Sequence, residues 1–366
     1  MWSLDNNAEI CFAGYNKKVF MFMSMDGQTE ILPNQLTSKY TVSKVLGRGA
    51  CREVRLGFRI PDLYRVAIKV ICKRTTNTFS KSNPAIMNEV RILQSVSHPC
   101  VINLEDVIDT PDYLFIVLEL AEGGELFDKI IERTRLNETE AKIHFYQIAS
   151  AIKYLHSKNI CHRVLKPENM LFCSVDDSNP VIKITDMGLS KLVDLGTVLK
   201  TFCGTPQYIA PEIVAGAGLP DIQTYSLKVD CWSMGVILYI LVSGTPPFSE
   251  ESKCGLPLRQ QILQAKYQFY PQLFDVISAP AKDLIKPLLK PNPEERISAE
   301  EVLLNPWLQD HGMLRRVELL LANRQPKGRK RIVKHEVASQ GGEKRMRPGY
   351  EEVDSGCAVT IFKTPA

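Results

Sequence analysis

The residues of this 366-residue chain best suited to chemistry are few, and their order is informative. Leu46-Gly47-Arg48-Gly49-Ala50-Cys51-Arg52-Glu53-Val54 sets two glycines between strand-like segments. Backbone N–H groups there can approach phosphate oxygens with no Cβ in the way. That spacing alone is shared with many hairpins, and Arg52 stands where a third glycine would complete GxGxxG. Val66-Ala67-Ile68-Lys69 puts an ammonium on the next strand, where it reaches phosphates if a carboxylate holds it; Glu89, on the following helical stretch, is the candidate. Cys161-His162-Arg163-Val164-Leu165-Lys166-Pro167-Glu168-Asn169, Asp186-Met187-Gly188 and Ala210-Pro211-Glu212 come next. Lys69 and Glu89 alone would pass for solvated surface, but five elements in one order are hard to obtain by chance.

The elements that must position these residues fall into two kinds. Residues 40–70 alternate like strands, with 66–70 reading as a buried one, 86–95 has a helical period that puts Val90 and Leu93 on one face, and 113–120 is again a strand. Glu122-Gly123-Gly124 leads into helical sequence over 125–158, followed by helix candidates at 230–242, 258–265, 281–289 and 299–303. A small β-rich lobe precedes a larger helical one. No repeat of 20 to 50 residues is present.

Composition excludes several classes. With 45% apolar and 23% charged residues the chain is neither disordered nor fibrous. Its longest apolar run, near 234–242, is far short of the ~20 residues that cross a bilayer. The apolar segment 19–23 is flanked by Lys17, Lys18 and Asp26 with no secretory cleavage pattern, which reads as a cytosolic start. Ten cysteines without a CxxC pair or metal-ligand spacing read as reduced thiols. The net charge of +4 belongs to residues 311–366, which hold 12 Lys/Arg against 6 Asp/Glu.

Over residues 40–308 the set resembles the protein kinase family, and within it the checkpoint kinases of the calcium/calmodulin-kinase-like serine/threonine group. Gly49-Ala50-Cys51, Ile116-Val117-Leu118-Glu119-Leu120, Glu122-Gly123-Gly124-Glu125-Leu126-Phe127-Asp128, Cys203-Gly204-Thr205-Pro206 and Asn305-Pro306-Trp307-Leu308 carry the likeness. The resemblance implies an α+β, bilobal fold, ATP and Mg²⁺ as cofactors, and protein substrates with an Arg three residues before the Ser or Thr. It makes Asp186 and Asn169 the metal-holding oxygens, a donor type that hard cations prefer. Lys166 would neutralise charge on the transferring phosphoryl group. Leu46, Gly47, Gly49, Val54 and Ala67 would enclose the nucleotide with the Glu119 and Ala121 backbone, and Leu118 would guard a rear pocket. Glu125 would accept the ribose hydroxyl and the substrate Arg, or else be a helix N-terminal carboxylate favoured by the dipole. Glu212 and Arg296 would anchor the activation segment and Asp230 the catalytic-loop backbone. Arg163 would meet a phosphate on Thr201, with Thr205 facing substrate.

One departure matters most. Where the family has an Asp that orients the substrate hydroxyl and takes its proton, this chain has Val164, which can do neither. Losing such help is worth about 10² to 10⁴-fold in rate. The expectation is a kinase that binds ATP and transfers phosphate slowly; the alternative is a pseudokinase, a nucleotide-binding scaffold that pairs with an active relative or a second copy. Met187 in place of Phe keeps the apolar character of its position.

The ends carry separate expectations. Residues 1–38 resemble the closing strands of a forkhead-associated domain plus linker, without the part that would bind phosphothreonine. Residues 311–366 read as a basic, largely disordered tail. Lys327, Arg329, Lys330, Arg331 and Lys334, then Lys344, Arg345 and Arg347, suit a bipartite nuclear import signal. No aromatic residues interleave with them, so specific nucleic-acid binding by base stacking is not expected, and with no apolar run long enough to cross a bilayer no membrane partner is expected either.

Overall fold

The computed structural model describes residues 9–11, 18–21, 32–49, 52–60, 62–73, 84–163, 165–176, 178, 180–187, 206–216, 226–252 and 254–322. Ala50, Cys51, Val164, Gly188, Thr201, Thr205 and both basic clusters of the tail lie outside the described residues.

Two short strands near the start, β1 (Glu9–Cys11) and β2 (Lys18–Met21), pair antiparallel. After helix α1 (Asn34–Thr37) come β3 (Tyr40–Gly49), β4 (Arg52–Arg59), β5 (Tyr64–Cys72), α2 (Pro84–Ser95), β6 (Leu104–Asp109) and β7 (Tyr113–Glu119). Their five strands form one antiparallel sheet in the order β3-β4-β5-β7-β6. Successive side chains of a strand point to opposite faces, so each strand is divided between two tasks. Val66, Ile68, Phe115 and Val117 turn to one face and close an apolar cluster with Tyr40, Val42, Ile108 and Leu36 of α1. Ala67, Lys69 and Ile71 turn to the other, opposite Leu118, Ile116 and Leu114. There Ile71, Leu114 and Ile116 share a core with Val90 and Leu93 of α2. Val54 pairs with Lys69 in the sheet register, so Val54, Ala67, Lys69 and Leu118 stand on the same face.

The larger lobe is helical, which completes the bilobal α+β arrangement expected. Its elements are α3 (Leu126–Arg133), α4 (Glu138–His156), the hairpin β8 (Met170–Phe172) and β9 (Ile182–Ile184), then α5 (Pro211–Ala215), α6 (Lys228–Ser243), α7 (Leu258–Leu263), α8 (Pro271–Phe274), α9 (Ala279–Leu288), α10 (Ala299–Leu303) and α11 (His311–Ala322). The helical stretch read over 125–158 is two helices. Thr134 breaks it with φ 64°, and Asn137 restarts it by accepting a 2.9 Å hydrogen bond from the Glu140 amide. Every residue of α6 from Val229 to Ser243 is buried, as an almost uninterrupted apolar sequence requires. It ends at Gly244, whose φ of 77° and close approach to the Thr134 carbonyl leave no room for a Cβ.

Helix α11 corrects the start of the tail. Residues 311–322 are not a disordered stretch: Met313 and Val317, one turn apart, are buried in the main core, and the Asp310 side chain caps the helix by accepting from the Met313 amide at 2.7 Å. Averaging composition over 311–366 lets the Lys and Arg beyond 323 mask this short apolar stripe.

Candidate active site

The centre of the cleft is a chain of three charges. On the solvent-poor face of β5, Lys69 Nζ donates to Glu89 Oε1 of α2 at 2.6 Å and to Asp186 Oδ1 at 3.1 Å. Lys69 is 7% exposed and Glu89 only 2%. A buried ammonium must be paired, and Glu89 does this while leaving Lys69 beside Asp186, the group expected to face the metal. Asp186 sits at φ 62°, a left-handed conformation unfavourable for any residue with a side chain and held here by the neighbouring structure.

Asn169 is brought to the same place. Residues Pro167–Asn169 form a single helical turn, and the Asn169 carbonyl accepts from both Thr185 N (2.9 Å) and Thr185 Oγ1 (3.1 Å), one residue before Asp186. Lys166 Nζ lies 3.8 Å from Glu168 Oε1 at the start of that turn. Among the described residues no three His, Cys, Asp or Glu side chains cluster as metal ligands. One carboxylate and one amide oxygen fit Mg²⁺, which keeps most of its shell as water and substrate phosphates. At Gly47, which pairs with Val54 in the β3–β4 register, a Cβ would meet no atom within 4 Å, so packing does not demand glycine there.

The backbone at His162 and Arg163 is fixed by a buried carboxylate. Asp230 of α6, wholly buried, accepts from His162 N at 2.8 Å and Arg163 N at 2.7 Å, and its Oδ2 contacts His156 Nε2 at 2.8 Å. Burial alone would raise its carboxyl, but the His156 bond and the charge and backbone N–H of His162 outweigh that and hold it below the ordinary value. Arg163 takes φ 66°, and the His162 ring reaches the Thr185 carbonyl at 2.9 Å. Farther along the chain Arg296, 1% exposed, forms a two-pronged ion pair with Glu212, the expected activation-segment anchor, at 2.8 and 2.9 Å and donates to the Lys228 carbonyl at 2.7 Å.

Beyond β7 the chain crosses to the large lobe against β8. Gly123 N donates to the Phe172 carbonyl and Phe172 N to the Gly124 carbonyl, and a Cβ on Gly123 would collide with Ser174. Glu119 is the last residue of β7, and Ala121 follows it in the connecting segment, outside any strand. Glu125 follows at the N-terminus of α3, and its side chain makes no capping bond. Burial, then the nearby Asp128 and Glu168, push its carboxyl above the ordinary value, opposite to what a dipole-stabilised cap would show. Sequence reading missed Lys183, whose ammonium is buried against Glu119 at 2.6 Å; the signal was a lone lysine inside the apolar run Val181-Ile182-Lys183-Ile184.

The fold and the Glu89–Lys69–Asp186 chain define a protein kinase domain. The family model described as "Protein kinase domain" matches residues 40–308, and the chain belongs to that family. Its relatives are serine/threonine kinases. The ovarian-specific serine/threonine-protein kinase Lok of Drosophila melanogaster is 37% identical over 325 residues, 87% of this chain and 67% of that protein. The probable serine/threonine-protein kinases fhkD and fhkC of Dictyostelium discoideum are 41% identical over 303 residues and 37% over 312. These cover 81% and 84% of this chain but 40% and 51% of the Dictyostelium proteins, so this chain spans about half their length or less.

Proposed function

We propose that this chain is a serine/threonine kinase of the checkpoint kinase 2 type that binds Mg·ATP and transfers its phosphoryl group slowly. The observation that carries the nucleotide half is the Glu89–Lys69–Asp186 chain of charge, with Asn169 tied to the residue before Asp186. Mg²⁺, when bound, supplies positive charge between the phosphates. Asp186 and Asn169 would hold it, Lys69 would steady the phosphates already in the cleft, and Lys166 would face the group in transfer. Glu125, with its raised carboxyl beside Asp128 and Glu168, suits recognition of an arginine before the phosphorylated residue.

The slow step follows from Val164, which offers the substrate hydroxyl no acceptor. Phosphoryl transfer leans mainly on metal and lysine electrostatics, so a residual rate is expected rather than none. The retained Glu212–Arg296 and Asp230 anchors favour this enzyme reading. The missing acid favours a second, in which the domain is a nucleotide-responsive scaffold pairing with an active kinase. A role in DNA-damage checkpoint signalling and a nuclear location, through the two basic clusters, complete the proposal.

The direct test is thermal unfolding with and without millimolar Mg·ATP. A ligand at a hundredfold excess over its Kd adds about 2.7 kcal/mol of apparent stability. A raised Tm is expected, and no shift at millimolar nucleotide contradicts both readings.

A further inference from the structure

Among the described residues only two lysines are buried, Lys69 and Lys183. Lys69 belongs to the cleft; Lys183 sits mid-strand in β9, three residues before Asp186, between the buried Ile182 and Ile184. Its Nζ meets Glu119 Oε1 at 2.6 Å, with the Val101 carbonyl farther off at 3.5 Å. The same Glu119 oxygen accepts from the Asn103 amide at 2.7 Å, and the Glu119 amide donates to the Asn103 carbonyl at 3.0 Å. One residue earlier in that loop, Ile102 N donates to the Ile184 carbonyl at 2.9 Å, and Ile184 N donates to the Cys100 carbonyl at 2.8 Å. The segment 100–103 is thus bonded to β9 on one side and to the end of β7 on the other, and the Lys183–Glu119 pair spans all three.

A buried ion pair is weak evidence for stability, because desolvating both charges offsets most of their attraction. What such a pair does fix is geometry. Glu119 ends the strand that leads to the adenine-facing backbone, and β9 leads to Asp186. Resting on the nucleotide-binding reading above, we infer that Lys183 is a positioning residue that acts through Glu119. It registers the hinge end of the cleft against the metal end, so that one ligand can satisfy both.

The test compares a ligand that spans both ends with one that touches only the hinge: Mg·ATP and adenosine, titrated into the full chain. Lys183→Met and Glu119→Gln are each expected to weaken Mg·ATP about tenfold and adenosine less than about threefold, and the double variant to bind no worse than the weaker single one. Lys183→Arg, which keeps the charge, is expected to retain most of the Mg·ATP affinity. Equal losses for both ligands, or additive losses in the double variant, overturn the inference, since a merely structural residue would affect both ligands alike. If the unmodified chain binds no Mg·ATP, the functional reading has failed, and amide hydrogen exchange at Asn103 and Glu119 then decides. Faster exchange in Lys183→Met supports the positioning role, and unchanged exchange refutes it.

Discussion

The two sides of the cleft differ in what they retain. On the nucleotide side Lys69 bridges Glu89 and Asp186, and the Asn169 carbonyl is bonded to the residue before Asp186. On the acceptor side the supports are equally complete, with Asp230 under the His162 and Arg163 amides and Arg296 locked to Glu212, yet the sequence places a valine at 164. Binding a phosphate, holding a loop and accepting a proton are therefore separable tasks, assigned to different residues. On the proposed reading this chain keeps the first two and has lost the third.

Three substitutions sharpen that contrast. The largest stability loss is expected from Arg296→Met, which strands Glu212 and frees the Lys228 carbonyl; breaking a buried pair from one side costs about 3 to 5 kcal/mol, measurable by urea unfolding. Asp186→Asn acts oppositely: Asp186 is a third exposed, so unfolding without ligand should shift by less than about 1 kcal/mol, while the Tm gain from Mg·ATP should be largely lost. Equal damage to both quantities by either variant would dissolve the distinction between frame and ligand site.

The smallest effect concerns Glu138, which lies away from the cleft and ties three parts of the large lobe together. It accepts from Ser278 N at 2.9 Å, Ser278 Oγ at 2.6 Å and Trp307 Nε1 at 2.7 Å. Burial alone would raise its carboxyl, but the Ser278 and Trp307 bonds, with Lys142 nearby, outweigh that and lower it from the ordinary 4.5. A carboxyl depressed in the folded state binds fewer protons there than in the unfolded chain, so its contribution is complete above pH 4.5 and fades as pH falls through the depressed value. Glu138→Gln should cost about 1 to 2 kcal/mol at neutral pH, and the gap to the unmodified chain should narrow below pH 4.5. A gap that widens on acidification would reverse the assignment.

How much of this was legible beforehand depended on the kind of constraint. One-sided apolar patterning marks the helices at 299–303 and, within two residues, 279–288, while the long apolar run marks 228–243 within two residues because a wholly buried helix needs apolar residues all round. Lys69, Glu89, Asn169 and Asp186 were readable because each is an unusual residue type in a fixed order, and the structure brings all four to one cleft. Contacts between distant segments left weaker marks. Nothing local to Glu119 announces that its side chain faces away from the nucleotide toward Lys183, and only the lysine's apolar surroundings hinted at a buried charge. Helix α11 escaped because two buried residues are too few to outweigh a basic composition averaged over a longer window.

On the proposed reading one side chain, Val164, limits transfer. The most direct measurement is γ-phosphate incorporation into an Arg-x-x-Ser peptide at saturating Mg·ATP, comparing Val164→Asp with the unmodified chain. A rise of about 10² to 10⁴-fold is expected, with the Mg·ATP thermal shift unchanged. Equal rates in the two proteins would contradict it.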